Sequence, residues 1–400
     1  MNRLTKIVGL TAGALLLAAS ASAIAADTKI GVVLGFTGPL DTLSPPMLAA
    51  AELAAKNIND QGGVNGGNLV IQTGDDNCVT ADMATAAATQ VINDGAVGIV
   101  GGMCSGVTAA IANNVTVPNG VLQISPSATA ATITTLEDKD LVFRTSPSDA
   151  YNSEVFAKSL FARGVKELGI TYVNNDYGKG LADNFSAAYT AAGGKVLASV
   201  AHEEGKAEYR AELGQLAAAG ASNLLVLAYA NGSGKTVLQQ AVESGDFTAY
   251  YGADGMVDNV LLEGFAPGAL DGMVAMRPSE PTGAGTDAFN ASAAAGGMTT
   301  GSTFQQQTYD ATFLMALALQ KTGGSKDGIS QALRDVATAP GEVILPGEWK
   351  KAADLIAAGT DIDYQGASGP VEFDAAGDVA GSVVEMTVKD GKFVEVGPLM

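Results

Sequence analysis

The sequence predicts an α/β protein built from two doubly wound lobes. Short, almost wholly apolar runs alternate with helical stretches, the pattern of parallel strands covered on both faces. The alternation runs through one set of strands and begins again near residue 167. A chain of 400 residues is also more than one ordinary core holds, so it divides.

The chain opens with Arg3 and Lys6, then an apolar stretch from Ile7 to Ala19, then "ASAIAAD". A basic start, a short apolar region and small residues at Ser22 and Ala25 read as a signal peptide over 1–25, cut near Ala25. A membrane anchor is the alternative, but the stretch is short and rich in small residues, and no other run is long enough to span a bilayer. The expected product is an exported chain in the periplasm.

In the first lobe "KIGVVLGF" (29–36), "NLVIQTGDD" (68–76), "AVGIVGG" (96–102), "GVLQIS" (120–125) and "LVFRTS" (141–146) read as strands. "PPMLAAAELAAKNIND", "TADMATAAATQVIND" and "SGVTAAIANNV" read as the helices between them, each with a Ser, Thr or Pro start and an Asn, Asp or Gly near its end. The second lobe offers "ELGITYVNNDYG" (167–178), "KVLASVAHE" (195–203), "NLLVLAYANG" (223–232) and "TAYYGADG" (248–255). "DGMVAMRPSEP" (271–281) reads as an extended crossing segment, and the Gly-, Ala- and Thr-rich 282–302 as a loop. Helices over "TFQQQTYDATFLMALALQKTGG" and "KDGISQALRDVAT" and a strand-rich end over 369–396 complete the chain.

Ligands of open parallel sheets sit at the carboxyl ends of the strands. Two such lobes facing each other make a cleft lined by "GFTGPL", "GGMCSG", "ISPSAT", "NNDYGKG", "AYANGSG" and "GADG".

Composition narrows the function. A net charge of −20, nearer −22 once Arg3 and Lys6 leave with the leader, repels nucleic acid and anionic membranes. One histidine excludes a His-rich metal site and a two-His mechanism; His202, in "VAHEEGK", is expected on the surface. A hydrolase triad would have to use it. The two cysteines, Cys78 and Cys104, each follow a strand-like run. In an exported chain they point to a disulfide worth about 3 kcal/mol, with two unpaired buried thiols as the alternative.

"AYANGSGKT" ends a strand and opens a helix, as a phosphate-binding loop would. That loop needs a glycine five residues before Gly234, and Tyr229 stands there. A tyrosine inside the strand cannot wrap a phosphate with its backbone. Gly232 and Gly234 are expected to make the turn, with Ser233 as helix cap and Lys235 in solvent.

In order and spacing, "KIGVVLGFTGPL", "INDQGGVNG", "DDNC" with "GGMCS", "ISPSAT", "YVNNDYGKG", "YYGADG" and "GPVEFDAAGDV" resemble a known family across the mature chain. It is the periplasmic solute-binding proteins of ABC importers, of the leucine/isoleucine/valine-binding type. The resemblance implies two Rossmann-like lobes joined by a three-segment hinge, with ligand enclosed between them. The implied lobes are 26–144 with 276–383 and 145–275 with 384–400. It also implies the Cys78–Cys104 disulfide, a monomer, no cofactor, no catalysis, and a membrane permease as partner.

Carried over by motif, Ser105, Ser127 and Thr129 would hold an amino-acid carboxylate. Ser105 opens a helix, whose N–H groups and dipole favour an anion. Tyr177 would form a wall or polar contact, Asp254 would take the ammonium, and Phe304 would pack on the ligand side chain, with Gln307 a weaker candidate. Two positions depart from the family's aromatics: Ala230, with Asn231 beside it, and Leu43. The pocket is therefore expected to differ from a branched-chain site and to suit a branched-chain or polar amino acid, or an amide. A sensory receptor module with the same cleft is the alternative, and so is a site for a non-amino-acid organic acid.

Overall fold

A computed structural model of the protein describes residues 25–278 and 282–399. The leader read over 1–25 lies outside the described residues except for Ala25. Five parallel strands form the first sheet: β1 (Thr28–Leu34), β2 (Leu69–Asp75), β3 (Gly98–Gly101), β4 (Leu122–Ser125) and β5 (Val142–Arg144). Their order is β2-β1-β3-β4-β5. Helices α1 (Ser44–Asn59), α2 (Ala81–Asn93) and α3 (Ser105–Ile111) connect them. The apolar runs are central strands because both faces are covered: β3 and β4 are buried at every position.

The chain then crosses to a second sheet through α4 (Asp149–Ala162). There follow β6 (Glu167–Val173), α5 (Asp176–Ala191), β7 (Lys195–His202), α6 (Arg210–Ala218), β8 (Asn223–Leu227), α7 (Ser233–Ser244), β9 (Ala249–Gly252) and β10 (Val274–Pro278). After β10 it returns to the first lobe with α8 (Ala284–Ala295), α9 (Gln305–Lys321), α10 (Ile329–Ala337), β11 (Glu342–Ile344), α11 (Trp349–Ala357), β12 (Ile362–Gly366) and β13 (Gly369–Pro370). It re-enters the second sheet with β14 (Val383–Lys389) and β15 (Lys392–Leu399), giving the order β15-β14-β10-β9-β8-β6-β7. Strand β14 runs antiparallel to both β10 and β15, and the other pairings of that sheet are parallel. Among the described residues no helix is long and apolar enough to cross a membrane.

Two glycines show how tightly the first lobe is built. Helix α9 crosses β3 so closely that a Cβ on Gly98 would lie 2.4 Å from Met315 Sδ. Gly101 takes φ 138°, and a Cβ there would lie 2.1 Å from the Val33 carbonyl oxygen. The end of β3 is thereby turned toward the cleft. Cys78 and Cys104 form the disulfide, with Cα atoms 5.2 Å apart. The bond spans two strand ends that are not neighbours, because β1 runs between β2 and β3. Asp76 spans the same gap, accepting from Cys78 N–H and Met103 N–H at 3.0 and 2.7 Å.

Four local expectations are corrected. Residues 284–295 of the expected loop form α8, which a sequence of small residues disguises because only Phe289 supplies a large apolar anchor. Ser233 is not the cap: Gly232 occupies that position and Ser233 is the first helical residue. Lys235 is only partly exposed and lies 3.7 Å from Glu263.

His202 is the fourth correction, for it is 2% exposed rather than on the surface. Thr171 Oγ1 lies 2.8 Å from its Nδ1 and Ser233 Oγ 3.1 Å from its Nε2. Ser233 donates its one proton to Glu204 Oε2 at 2.7 Å. The imidazole is therefore the neutral tautomer that donates from Nε2 to Ser233 and accepts from Thr171 at Nδ1. It is no base for Ser233; it ties the ends of β6 and β7 to the start of α7. The residues that drew attention as a phosphate loop hold a strand end instead.

Burial pushes the His202 imidazole down to about 4, with Lys206 acting in the same direction and Glu212 and Glu203 opposing it. The unfolded chain titrates near 6.5 and takes up a proton that the folded chain refuses. Stability from His202 is thus present above about pH 6.5 and lost as pH falls toward 4. Urea denaturation should show the advantage of wild type over His202→Gln shrinking by up to about 3 kcal/mol between pH 7 and pH 4. A pH-independent gap would contradict this burial.

Candidate functional site

The first-lobe half of the site is a pair of loops laced together by short side chains. Ser125 Oγ donates to the Gly102 carbonyl at 2.7 Å and accepts from Ala128 N–H at 3.0 Å. Ser127 Oγ donates to the Met103 carbonyl at 2.7 Å, and Ala130 N–H donates to Ser105 Oγ at 3.1 Å. Ser105 is the first residue of α3, so the helix N-terminus points at this junction.

Behind the loop lies Arg144, fully buried. Its Nη1 donates to three successive carbonyls, Ala128, Thr129 and Ala130, at 3.2, 3.0 and 2.9 Å. Nε and Nη2 form a two-pronged pair with Asp378 at 2.6 and 2.7 Å, and Nη2 also donates to Thr134. With its carbonyls turned back toward the guanidinium, the 127–130 loop directs other groups forward. Thr129 Oγ1, buried, has no hydrogen-bond partner.

The second-lobe half is aromatic and acidic. Asp254, 2% exposed, follows β9, and its Oδ1 accepts from Tyr177 OH at 2.7 Å. Gly255 N–H donates to the same hydroxyl oxygen at 3.2 Å. Tyr177 sits one residue into α5, whose N-cap Asn175 accepts from Gly178 N–H. Asn175 Nδ2 also donates to Tyr229 OH at 3.0 Å, and the Tyr177 and Tyr229 rings stack with centroids 5.4 Å apart. Burial pushes the Asp254 carboxyl upward despite the Tyr177 hydrogen bond, and holds the Tyr177 hydroxyl well above its ordinary range.

Between the halves lies a cavity lined by Ser105, Ser127, Tyr177, Tyr229, Asp254 and Phe304, with Leu40, Met103, Cys104 and Gly255 completing it. It holds ≈ 20 Å³, room for about one water. Phe304 takes φ 64° at the start of α9, a left-handed conformation that is an outlier for a bulky residue and belongs to functional sites more often than to ordinary turns.

Five expected positions, Ser105, Ser127, Tyr177, Asp254 and Phe304, thus meet at one cavity. Thr129 stands behind the lining. Ala230 is buried with its N–H on the Gly255 carbonyl, and Gln307 is buried with its carbonyl accepting from Thr145 Oγ1. Asn231 is exposed and donates to Asp41 Oδ1 of the first lobe at 2.8 Å. Leu43 is buried just ahead of α1. Sequence reasoning missed Tyr229, which lines the cavity one residue before Ala230, at the strand end, where a tyrosine already looked out of place for a phosphate loop.

The Arg144–Asp378 pair should dominate the stability of this region. Asp378→Ala leaves a guanidinium buried without its counterion, at a cost of about 3 to 5 kcal/mol in denaturant unfolding. A loss below about 1 kcal/mol would mean the loop does not rest on this pair.

Residues 27–392 match the model of a family described as periplasmic binding protein. A leucine-, isoleucine-, valine-, threonine- and alanine-binding protein of Pseudomonas aeruginosa is 32% identical, over 78% of this chain and 83% of its own. A chemotactic signal transduction system substrate-binding protein, BasB of Halobacterium salinarum, is 28% identical over 87% and 83%. Among solved structures, the leucine binding protein LivK of Thermotoga maritima superposes with a TM-score of 0.78 at 20% identity, covering 93% of this chain and 98% of that one. A solute binding protein of R. palustris in complex with benzoate gives 0.75 at 20% identity, over 93% and 96%. The two sheets, the disulfide and this match along almost the whole chain agree: the protein belongs to the periplasmic binding protein family, among relatives of the leucine/isoleucine/valine-binding type.

Proposed function

We propose that the protein is the extracytoplasmic substrate-binding component of an ABC transporter. It captures an amino acid, or a related amide, between its lobes and delivers it to a membrane permease. One observation carries this reading: the N-terminus of α3, at Ser105, and the buried carboxylate of Asp254 line the same cavity from opposite lobes. A donor-rich end suits a carboxylate and a buried acid suits an ammonium, so a zwitterion fits both. In this reading Ser105, Ser127 and Thr129 hold the carboxylate, Asp254 the ammonium, and Tyr177, Tyr229 and Phe304 surround the side chain.

The lobes divide as 26–144 with 276–383 and 145–275 with 384–400, corrected at two edges where β10 and β14 carry residues 276–278 and 383 into the second sheet, and the chain is exported after cleavage near Ala25. It acts as a monomer and binds without catalysis; the neutral His202 supports that reading, since it donates to Ser233 and is no base for it. A cavity of ≈ 20 Å³ admits no amino acid, so ligand entry requires the lobes to part and then close. The likeness to BasB supports sensing as a second reading of the same cleft.

Two tests follow. In a thermal-shift panel of the twenty amino acids, at least one should raise the melting temperature. Asp254→Asn should weaken its binding at least about thirtyfold, the effect of removing one partner of a buried charge pair. No shift across the panel, or unchanged affinity in the variant, would overturn the assignment.

The second test concerns two bonds across the cleft mouth: Asn231 to Asp41, and Thr42 Oγ1 to Asp258 Oδ2 at 2.8 Å. Each is worth about 1 kcal/mol to the closed form. Thr42→Ala and Asn231→Ala should each weaken every ligand by the same factor, about fivefold. A change in the ranking of ligands would instead place these side chains at the ligand.

A further inference from the structure

The start of α4 carries a feature that the binding reading leaves unused. Asp149 is the first residue of the helix and is completely buried. Its N–H donates to the Thr129 carbonyl at 2.7 Å, which sets it directly behind the loop assigned to the ligand. Its Oδ2 has no hydrogen-bond partner, and Oδ1 has only Asn152 Nδ2 at 3.4 Å. Thr129 Oγ1, Ser146 Oγ, Asn152 Oδ1 and Ser153 Oγ, all buried, also lack partners. Buried polar atoms are nearly always paired, so five orphans in one short region mark a place where another polar group belongs.

The charges around Asp149 say which kind. Asp254 approaches from the second lobe, and Tyr177 of α5 and Tyr229 after β8 feel both carboxylates. The nearby cation, Arg144 of β5, is fully engaged by Asp378, Thr134 and three carbonyls. Thr129 lies close enough to favour the ionised form of Asp149, but outside hydrogen-bonding geometry. Asp149 behind the 127–130 loop and Asp254 at the cavity are thus two buried acids that feel each other's charge, with the nearest cation already engaged.

We propose that Asp149 is a second carboxylate of the ligand site, and that the site selects molecules bearing a positively charged nitrogen, shared between Asp149 and Asp254. This rests on the amino-acid reading above and narrows it. A carboxylic acid without an amine would put a third acid into a buried site that already holds two and would bring no cation to balance them, and is rejected.

Burial, reinforced by the charge of Asp254, pushes the Asp149 carboxyl up to about 8. In the closed form without ligand the acid thus keeps its proton at pH 7. An arriving ammonium favours the carboxylate, so binding releases that proton, and the release fades above about pH 8 where the acid is already ionised.

The test is isothermal titration of the full mature chain at pH 7, in two buffers of different ionisation heat. The probes are the tightest binder among the twenty amino acids and its amine-free carboxylic acid. Wild type should release about one proton per amino acid bound and should not bind the amine-free acid. Asp149→Asn should bind the amino acid at least tenfold more weakly and release no proton. An Asp149→Asn protein that binds within twofold of wild type, with the same proton release, overturns the proposal alone. So does a wild type that binds an amino acid with no proton release at pH 7, a result that needs no variant to fold. A wild type that binds none of the twenty amino acids overturns the amino-acid reading, and this proposal with it.

Discussion

One buried guanidinium organises the protein. Arg144 ends β5, the last strand before the chain crosses between lobes, and joins residues 234 positions apart through Asp378. An arginine suits this post because its planar fork can grip a carboxylate with one edge and carbonyls with the other. Its donors are used within a site closed to water, so removing Asp378 strands a charge. The 127–130 loop keeps its shape because three of its carbonyls face that charge. The shape in turn leaves Thr129 Oγ1 for another partner and brings Ala130 N–H onto Ser105. The backbone that meets a ligand is thereby fixed by residues that never reach the cavity.

The two lobes bring opposite chemistry to the junction. The first supplies hydroxyls and a helix N-terminus; the second supplies carboxylate and stacked tyrosines. Neither half carries both the donors for a carboxylate and the acid for an ammonium, so under the proposed amino-acid reading recognition coincides with closure. The bonds from Asp41 and Thr42 lie on the mouth of the same cleft and strengthen closure without touching what is enclosed. Affinity and selectivity then rest on different residues, which lets one change without the other.

Much of this was legible in the residues, for identifiable reasons. Strands with both faces covered leave unbroken apolar runs, so the parallel strands could be found. Motif order along the chain then located Ser105, Ser127, Tyr177, Asp254 and Phe304, which meet at one cavity. Helix α8 was hidden because alanine and glycine carry no periodic signal. His202 misled because its polar neighbours in sequence suggest solvent, while its partners Thr171 and Ser233 come from other elements. Arg144 and Asp149 were silent for the same reason: their roles are defined by partners distant in sequence or by the lack of partners. Tyr229 carried a usable signal, a large aromatic at a strand end beside the glycine turn, but its meaning depended on the ring of Tyr177 stacked on it.

The most direct measurement is mass analysis of the small molecule released on denaturing the protein purified from its native host. A cleft with a helix N-terminus on one side and buried carboxylates on the other predicts a compound with both a carboxylate and a protonated amine. Recovery of an amine-free acid, such as an aromatic carboxylate, at one molecule per chain would contradict that assignment of the two lobes.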